Sequence, residues 1–126
     1  MRTYLACMTV VGSVLVFSVP AFAKIDTVKG QIVDRNCYLM DPANNMGVDH
    51  QMPEDTQNCA ISCAKVGQPM ALLTSDGKVI TIMGGLAANR NAKLIPYIGH
   101  MVQITGDLSD VNGKMTITAD DLKVSK

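Results

Sequence analysis

The chain has 126 residues, with 11 Lys+Arg and 11 Asp+Glu, and only 4% of its residues are aromatic. A balanced charge without a block of either sign excludes the basic footprint of a nucleic-acid-binding protein and the polybasic patch of a membrane-surface protein. Scarce aromatic side chains also leave few platforms on which bases could stack. We therefore expect no nucleic-acid partner.

The first 23 residues have the three parts of a cleavable secretory signal peptide. Arg2 lies in a short basic start, Leu5–Val19 is apolar, and Ala21-Phe22-Ala23 is a small-x-small cleavage site. The apolar run has about 15 residues, whereas a retained transmembrane anchor needs roughly 20. The sequence predicts a periplasmic or secreted protein, no membrane insertion after cleavage, and one domain over residues 24–126, a length that suits a single hydrophobic core.

A strand, a polar loop and a helix are predicted in the first part of this domain. Apolar residues among polar ones predict a strand over Thr27–Asp34, with Gly30 at a bulge or bend. Tyr38–Met52 is rich in Asp, Asn, Pro and Gly, which is typical of an ordered loop. Pro53–Lys65 begins with Pro and two acidic residues, and Gly67 follows as a C-cap, so a helix is expected there.

A β-hairpin and a second helix follow. Met70–Thr74 and Lys78–Met83 are joined by Ser75-Asp76-Gly77, and Asp-Gly supplies the positive backbone angle of a tight turn. After two glycines, a short helix is predicted over Leu86–Ile98. Its inward-facing residues are predicted to be Leu86, Leu94 and Ile98.

A second hairpin completes the domain. Met101–Gly106 leads to a turn at Asp110–Gly113, where Asn-Gly again favours a tight hairpin, and Met115–Ala119 returns. Leu122–Val124 is expected to extend the last strand. Five strands with a helix between the third and fourth is the order of an OB-fold. The predicted fold is mainly β: a five-stranded OB-like barrel with a cysteine-bearing helical insertion after the first strand.

Three motifs span most of this domain: Gly30-x-Ile32-Val33-Asp34-x-x-Cys37, Cys59-x-x-x-Cys63-x-x-x-Gly67 and Gly99-x-x-Val102-x-Ile104-Thr105-Gly106. On these motifs the chain resembles a family of small secreted bacterial proteins of OB-like type. The resemblance implies the barrel and the export, and it implies no chemistry.

Three cysteines remain after the leader, with Cys7, is removed: Cys37, Cys59 and Cys63. Cys59 and Cys63 are four positions apart on the predicted helix, so both sulfurs project from one face. Cys37 follows the first strand, where the chain enters the insertion, and His50 lies in the same loop. Three thiolates and one imidazole form a known zinc set that also suits copper(I). These four residues are the predicted metal ligands.

Methionines in the same region favour copper. Met40, Met46 and Met52 recur in the loop, and Met70 follows the helix. Thioethers prefer soft copper(I), although methionine also commonly fills irregular parts of a core.

A disulfide is the main alternative for the cysteines. Cys37 paired with Cys59 or Cys63 would close a loop of over twenty residues and contribute about 3 kcal/mol. A bridge between Cys59 and Cys63 within one helix is disfavoured by disulfide geometry. The remaining thiol would then be free or would join two chains. Thiol redox chemistry is a weaker alternative, because the spacing is Cys-x-x-x-Cys and no thioredoxin-like pattern surrounds it.

Other polar side chains give weaker signals. His100 is expected at the surface or the barrel rim. Several acidic residues gather near the cysteines without an EF-hand spacing, so loop and helix-capping roles explain them. They are Asp34, Asp41, Asp49 and Asp55.

The predicted function is a non-enzymatic exported binding protein, because no motif for nucleophilic hydrolysis is present. Its ligand is expected to be copper or zinc. The alternative is a disulfide-stabilised module that binds another envelope protein or a small ligand without a metal.

Overall fold

The computed structural model describes residues 24–42 and 54–125. The predicted signal peptide, most of the polar loop and the candidate ligand His50 lie outside these residues. Met46, Met52 and Asp49 lie outside them as well. Among the described residues, no helix combines the length and the apolar composition needed to cross a bilayer.

Six strands form the sheet, and five of them close into a barrel. The strands are β1 (Lys24–Asp34), β2 (Met70–Leu73), β3 (Val79–Met83), β4 (Met101–Val111), β5 (Lys114–Thr118) and β6 (Leu122–Val124). Their order is β1-β2-β3-β5-β4-β6, and β1 also pairs with β4, which closes the barrel. All pairs are antiparallel except β3 and β5. This arrangement confirms the predicted OB-like barrel.

β1 bends because its two halves pair with different strands. Lys24–Gln31 pairs with β4, and Gln31–Asp34 pairs with β2. Gly30 lies at this change of partner, where a Cβ atom would stand 2.7 Å from the carbonyl oxygen of Leu73. The register with β4 runs through Gly30 without an extra residue, so the position is a bend with close backbone approach.

Both predicted hairpins are confirmed. Gly77 has a φ of 85° in the β2–β3 turn, and Asn112 and Gly113 have φ of 54° and 78° in a two-residue β4–β5 turn. Positive φ at both central residues is the geometry that Asn-Gly favours. The C-terminal residues differ from the prediction, because Leu122–Val124 does not extend β5. It forms β6 and pairs with Val102–Ile104 of β4.

The barrel interior is filled by large aliphatic side chains from every long strand and from the β3–β4 connection. The largest of the fully buried ones are Ile32, Met70, Leu72, Ile80, Ile82, Leu86, Leu94, Ile98, Ile104 and Ile117. Met70 therefore packs the core, which was the alternative to its role as a metal ligand.

The helix predicted over Leu86–Ile98 is wrong as a continuous element. Gly84–Ala87 is a 3-10 turn, α3 covers only Ala88–Asn91, and Ile95–Tyr97 is a second 3-10 turn. Asn89, Arg90 and Asn91 have φ between 53° and 60°, which is left-handed backbone that a right-handed helix cannot contain. The predicted inward-facing residues are nevertheless correct, because Leu86, Leu94 and Ile98 are all buried.

The insertion between β1 and β2 carries two helices, α1 (Arg35–Met40) and α2 (Glu54–Lys65). The predicted loop is therefore wrong at Tyr38–Met40, which belong to α1. α1 forms because Asp34 caps it: the carboxylate accepts a hydrogen bond of 3.0 Å from the backbone N–H of Cys37. The helix predicted over Pro53–Lys65 is confirmed as α2. It ends in a Schellman motif, with Gly67 at φ 88° and the N–H of Gln68 donating to the carbonyl of Cys63.

Candidate metal centre

α1 is held on the outside of the barrel by Tyr38. Its ring packs against Val33, Ala71 and Leu73, whose side chains point away from the barrel interior. All four residues of β2 are buried, because one face lines the core and the other lies under α1. This contact places Cys37, the residue before Tyr38, at the rim of the barrel next to the end of β1.

α2 is held by a separate set of contacts. Ala60 and Ala64 are buried, and Ile61 packs against the main core. Two small residues one turn apart let the helix backbone approach the barrel closely. Gln57 adds a hydrogen bond of 2.8 Å from its Nε2 to the carbonyl of Ile98. Cys59 and Cys63 lie beside this apolar stripe, on the flank of α2.

Asn91 fixes the C-terminal end of α2. This residue is 3% exposed, and its Nδ2 donates to the carbonyl of Ala64 at 3.1 Å and to that of Gln68 at 2.9 Å. Ala64 lies in the last turn of α2, where its carbonyl also accepts from the N–H of Gly67, and Gln68 lies just beyond the end of the helix. The irregular segment before β4 therefore stabilises α2, because it places the side-chain amide of Asn91 at the C-terminal end of that helix.

Replacing Asn91 with alanine is expected to lower the free energy of unfolding by about 2 kcal/mol more than replacing Asn89 with alanine. Both residues have left-handed backbone, at φ 60° and 53°, so both variants carry the same backbone strain. Asn89 is exposed, whereas Asn91 holds two carbonyls. Urea denaturation of the two variants measures the difference, and equal midpoints would contradict this role of Asn91.

The three predicted cysteine ligands meet between α1 and α2. The Sγ atoms of Cys37, Cys59 and Cys63 all lie within 4.8 Å of one another. Cys59 and Cys63 follow one another on α2 and face Cys37 on α1. A metal ion with bonds of about 2.3 Å to each sulfur would bring the sulfurs to roughly 3.8 Å apart. The structure thus confirms that the three cysteines converge closely enough to hold a metal ion.

Asp34 is an additional charged residue at this site, and the sequence indicated only a loop or capping role for it. It is 4% exposed and lies between the end of β1 and the start of α1. Besides capping α1, its carboxylate lies close enough to the thiols of Cys37 and Cys63 to raise the pKa of both. Asp34 is not one of the three residues whose ligand atoms converge, so it is a charged neighbour of two of the candidate ligands.

The surroundings of the sulfurs favour protonated thiols. Burial raises the pKa of Cys63 to about 12, with the hydrogen bond to Asp34 and the charge of Asp34 as the next causes. Burial also raises the pKa of Cys37, followed by the negative charge of Asp34. A cation among the sulfurs would reverse this balance, because a metal-bound thiol loses its proton. The site is therefore poorly suited to a reactive thiolate and well suited to a cation.

All three cysteines of the described chain are free thiols. The expected disulfide between Cys37 and a cysteine of α2 is therefore not formed in the structure. Each sulfur has two sulfur neighbours, whereas a disulfide would use one pair and leave the third thiol beside it. This three-fold arrangement is the one that a trigonal or tetrahedral metal ion uses.

The remaining candidates are exposed, or they lie outside the described residues. His100 is exposed at the barrel rim, as predicted. Met40 is 80% exposed at the end of α1. Asp41 is the C-cap residue of α1, and Asp55 lies in the first turn of α2, which agrees with capping roles. His50 lies outside the described residues.

Comparisons with protein-family models, with curated proteins and with solved structures find no match to this chain. The site must therefore be interpreted from its own residues and geometry.

Proposed function

We propose that this protein is an exported, non-enzymatic binding protein that holds one soft transition-metal ion, copper(I) or zinc, through Cys37, Cys59 and Cys63. His50 is the fourth ligand where the ion takes four. The observation that carries this proposal is the convergence of three sulfurs, from two separately anchored helices, to within 4.8 Å. Thiolate ligands select copper(I) and zinc over hard cations such as calcium and magnesium.

Two features support a metal over a structural disulfide. The helices that carry the cysteines are already fixed by Tyr38, by Ala60 and Ala64, and by Asn91, so a disulfide is not needed to attach them. The third thiol also has no role in a disulfide, whereas it completes a three-sulfur site. The leader sequence and the resemblance to secreted OB-like proteins support export, where a protected thiol cluster requires a ligand or a partner.

Titration of the reduced, mature chain with copper(I) or zinc tests the proposal. We expect one ion per chain, with thiolate-to-metal absorption that saturates at one equivalent. The variant His50→Ala distinguishes the coordination number: unchanged zinc affinity would assign the fourth position to water or another group, and a loss would assign it to His50. Absence of saturable binding of either ion would contradict the proposed function and leave the interaction module as the better account.

A further inference from the structure

The helices around the cysteine cluster keep their places through contacts that do not involve sulfur. α1 rests on the barrel through Tyr38, and α2 rests on it through Ala60, Ala64 and Ile61. Two further hydrogen-bonded links, from Gln57 and from Asn91, tie α2 to the connection before β4. In small domains that fold only when zinc is bound, the ion supplies the free energy of folding. Here the packing and hydrogen-bond contacts of the two helices supply it. The cluster is therefore preformed, and the ion is not required to hold the fold.

The three sulfurs are unequally accessible. Cys59 is exposed, whereas Cys37 and Cys63 are partly buried. The Asp34 carboxylate lies beside the two partly buried thiols, is 4% exposed, and is fixed by the hydrogen bond that it accepts from the N–H of Cys37. The cluster therefore has two partly buried ligands, Cys37 and Cys63, and one solvent-exposed ligand, Cys59.

We infer that this is a transfer site, in which exchange begins at Cys59: a thiol of a second metal-binding protein replaces Cys59 first, while Cys37 and Cys63 still hold the ion, and these two are exchanged afterwards. The inference rests on the proposed function. A structural metal site is closed by its protein ligands, whereas a site that exchanges its ion needs one accessible position. Exposure of Cys59 supplies that position, and the preformed scaffold lets the ion depart without unfolding the domain.

Ligand exchange of this kind is balanced at every step. An incoming thiol sulfur binds the ion as the bond from the ion to the Cys59 Sγ breaks, and the proton of the incoming thiol passes to that Sγ. The number of metal–sulfur bonds and the total charge are unchanged, and nothing is oxidised or reduced. Repetition at Cys37 and Cys63 completes the transfer and leaves three protonated thiols on the barrel.

The test follows the loss of thiolate-to-metal absorption when the metal-loaded chain meets increasing concentrations of dithiothreitol as the acceptor thiol. Exchange at an open ligand predicts a rate proportional to acceptor, so a tenfold rise in dithiothreitol should give a tenfold rise in rate. In a parallel experiment, brief alkylation of the loaded chain with N-ethylmaleimide, mapped by peptide mass, should modify Cys59 at least tenfold more than Cys37 or Cys63.

The possible outcomes separate this inference from the proposed function. An ion that binds at one equivalent but leaves at a rate independent of the acceptor overturns the transfer site and leaves the metal site intact. Equal alkylation of all three cysteines in the loaded chain has the same consequence. A chain that takes up neither copper(I) nor zinc overturns both. The far-ultraviolet circular dichroism of the metal-free chain should match that of the loaded chain. A loss of helical signal in the absence of metal would also contradict a preformed site.

Discussion

Replacement of Cys63 by serine is expected to weaken metal binding by at least about 100-fold, because the loss of a direct ligand costs more than the 10–100-fold typical of a supporting residue. Cys63 is partly buried, contacts Asp34 and lies within 4.8 Å of both other sulfurs. A hydroxyl is a poor ligand for copper(I) and stays protonated at neutral pH. Competition with a chromophoric chelator measures the change in affinity.

The matched control for this variant is Ser62→Ala, one residue away on the same turn of α2. Ser62 is exposed and lies outside the cysteine cluster, so its variant should bind the ion with unchanged affinity. Both variants should unfold at nearly the same urea concentration as the parent chain, since α2 is anchored through Ala60 and Ala64. Equal metal affinity of Cys63→Ser and Ser62→Ala would contradict the three-sulfur site.

The affinity for the ion is expected to rise at least about 100-fold for each pH unit between about pH 6 and about pH 8. Burial and the nearby carboxylate raise the pKa of Cys37, and they raise the pKa of Cys63 to about 12. Both thiols are therefore protonated over this whole interval, and each must lose its proton to bind the ion. Low pH therefore favours the metal-free chain, and high pH favours the metal-loaded chain.

Two independent measurements check this pH dependence. The logarithm of the association constant plotted against pH should have a slope of at least about 2, one for each of these thiols. Proton release into a weakly buffered indicator solution should give at least two protons per ion bound. A flat profile, with no proton release, would mean that these thiols are not the ligands.

Most of the barrel could be predicted from the sequence because its turns carry strong local signals. Asn112-Gly113 adopts the paired positive φ that such a dipeptide favours, and Gly67 ends α2 as predicted. The order of the strands along the chain then matches the OB-fold, and the pairing of β1 with β4 closes the barrel. Local patterns were sufficient wherever glycine or asparagine fixed the turn.

The prediction was wrong where tertiary contacts decide the conformation. Leu86, Leu94 and Ile98 have helical spacing and are all buried, yet Asn89–Asn91 is left-handed. The buried hydrogen bonds of Asn91 to the end of α2 help to hold this conformation, and the bond to Ala64 joins residues 27 positions apart along the chain. α1 was missed for a similar reason, because its six residues depend on capping by Asp34 and on the packing of Tyr38.

The cysteine site could be predicted in part. The four-residue spacing of Cys59 and Cys63 placed both sulfurs on one face of a helix, and the position of Cys37 after β1 brought it to the same end of the barrel. The contact of Asp34 with two thiols could not be predicted from its position in the sequence. It requires β1 to end beside both helices, which is a property of the assembled barrel.

The most direct test is a count of metal and accessible thiols on the chain as isolated, without reductant or chelator, from the compartment to which we propose it is exported. We expect close to one copper or zinc ion per chain by mass spectrometry, together with three thiols that react fully only after chelation or acid releases the ion. One freely reactive thiol per chain, no metal, and a mass two hydrogen atoms below that of the fully reduced chain would instead indicate a disulfide and contradict the metal site.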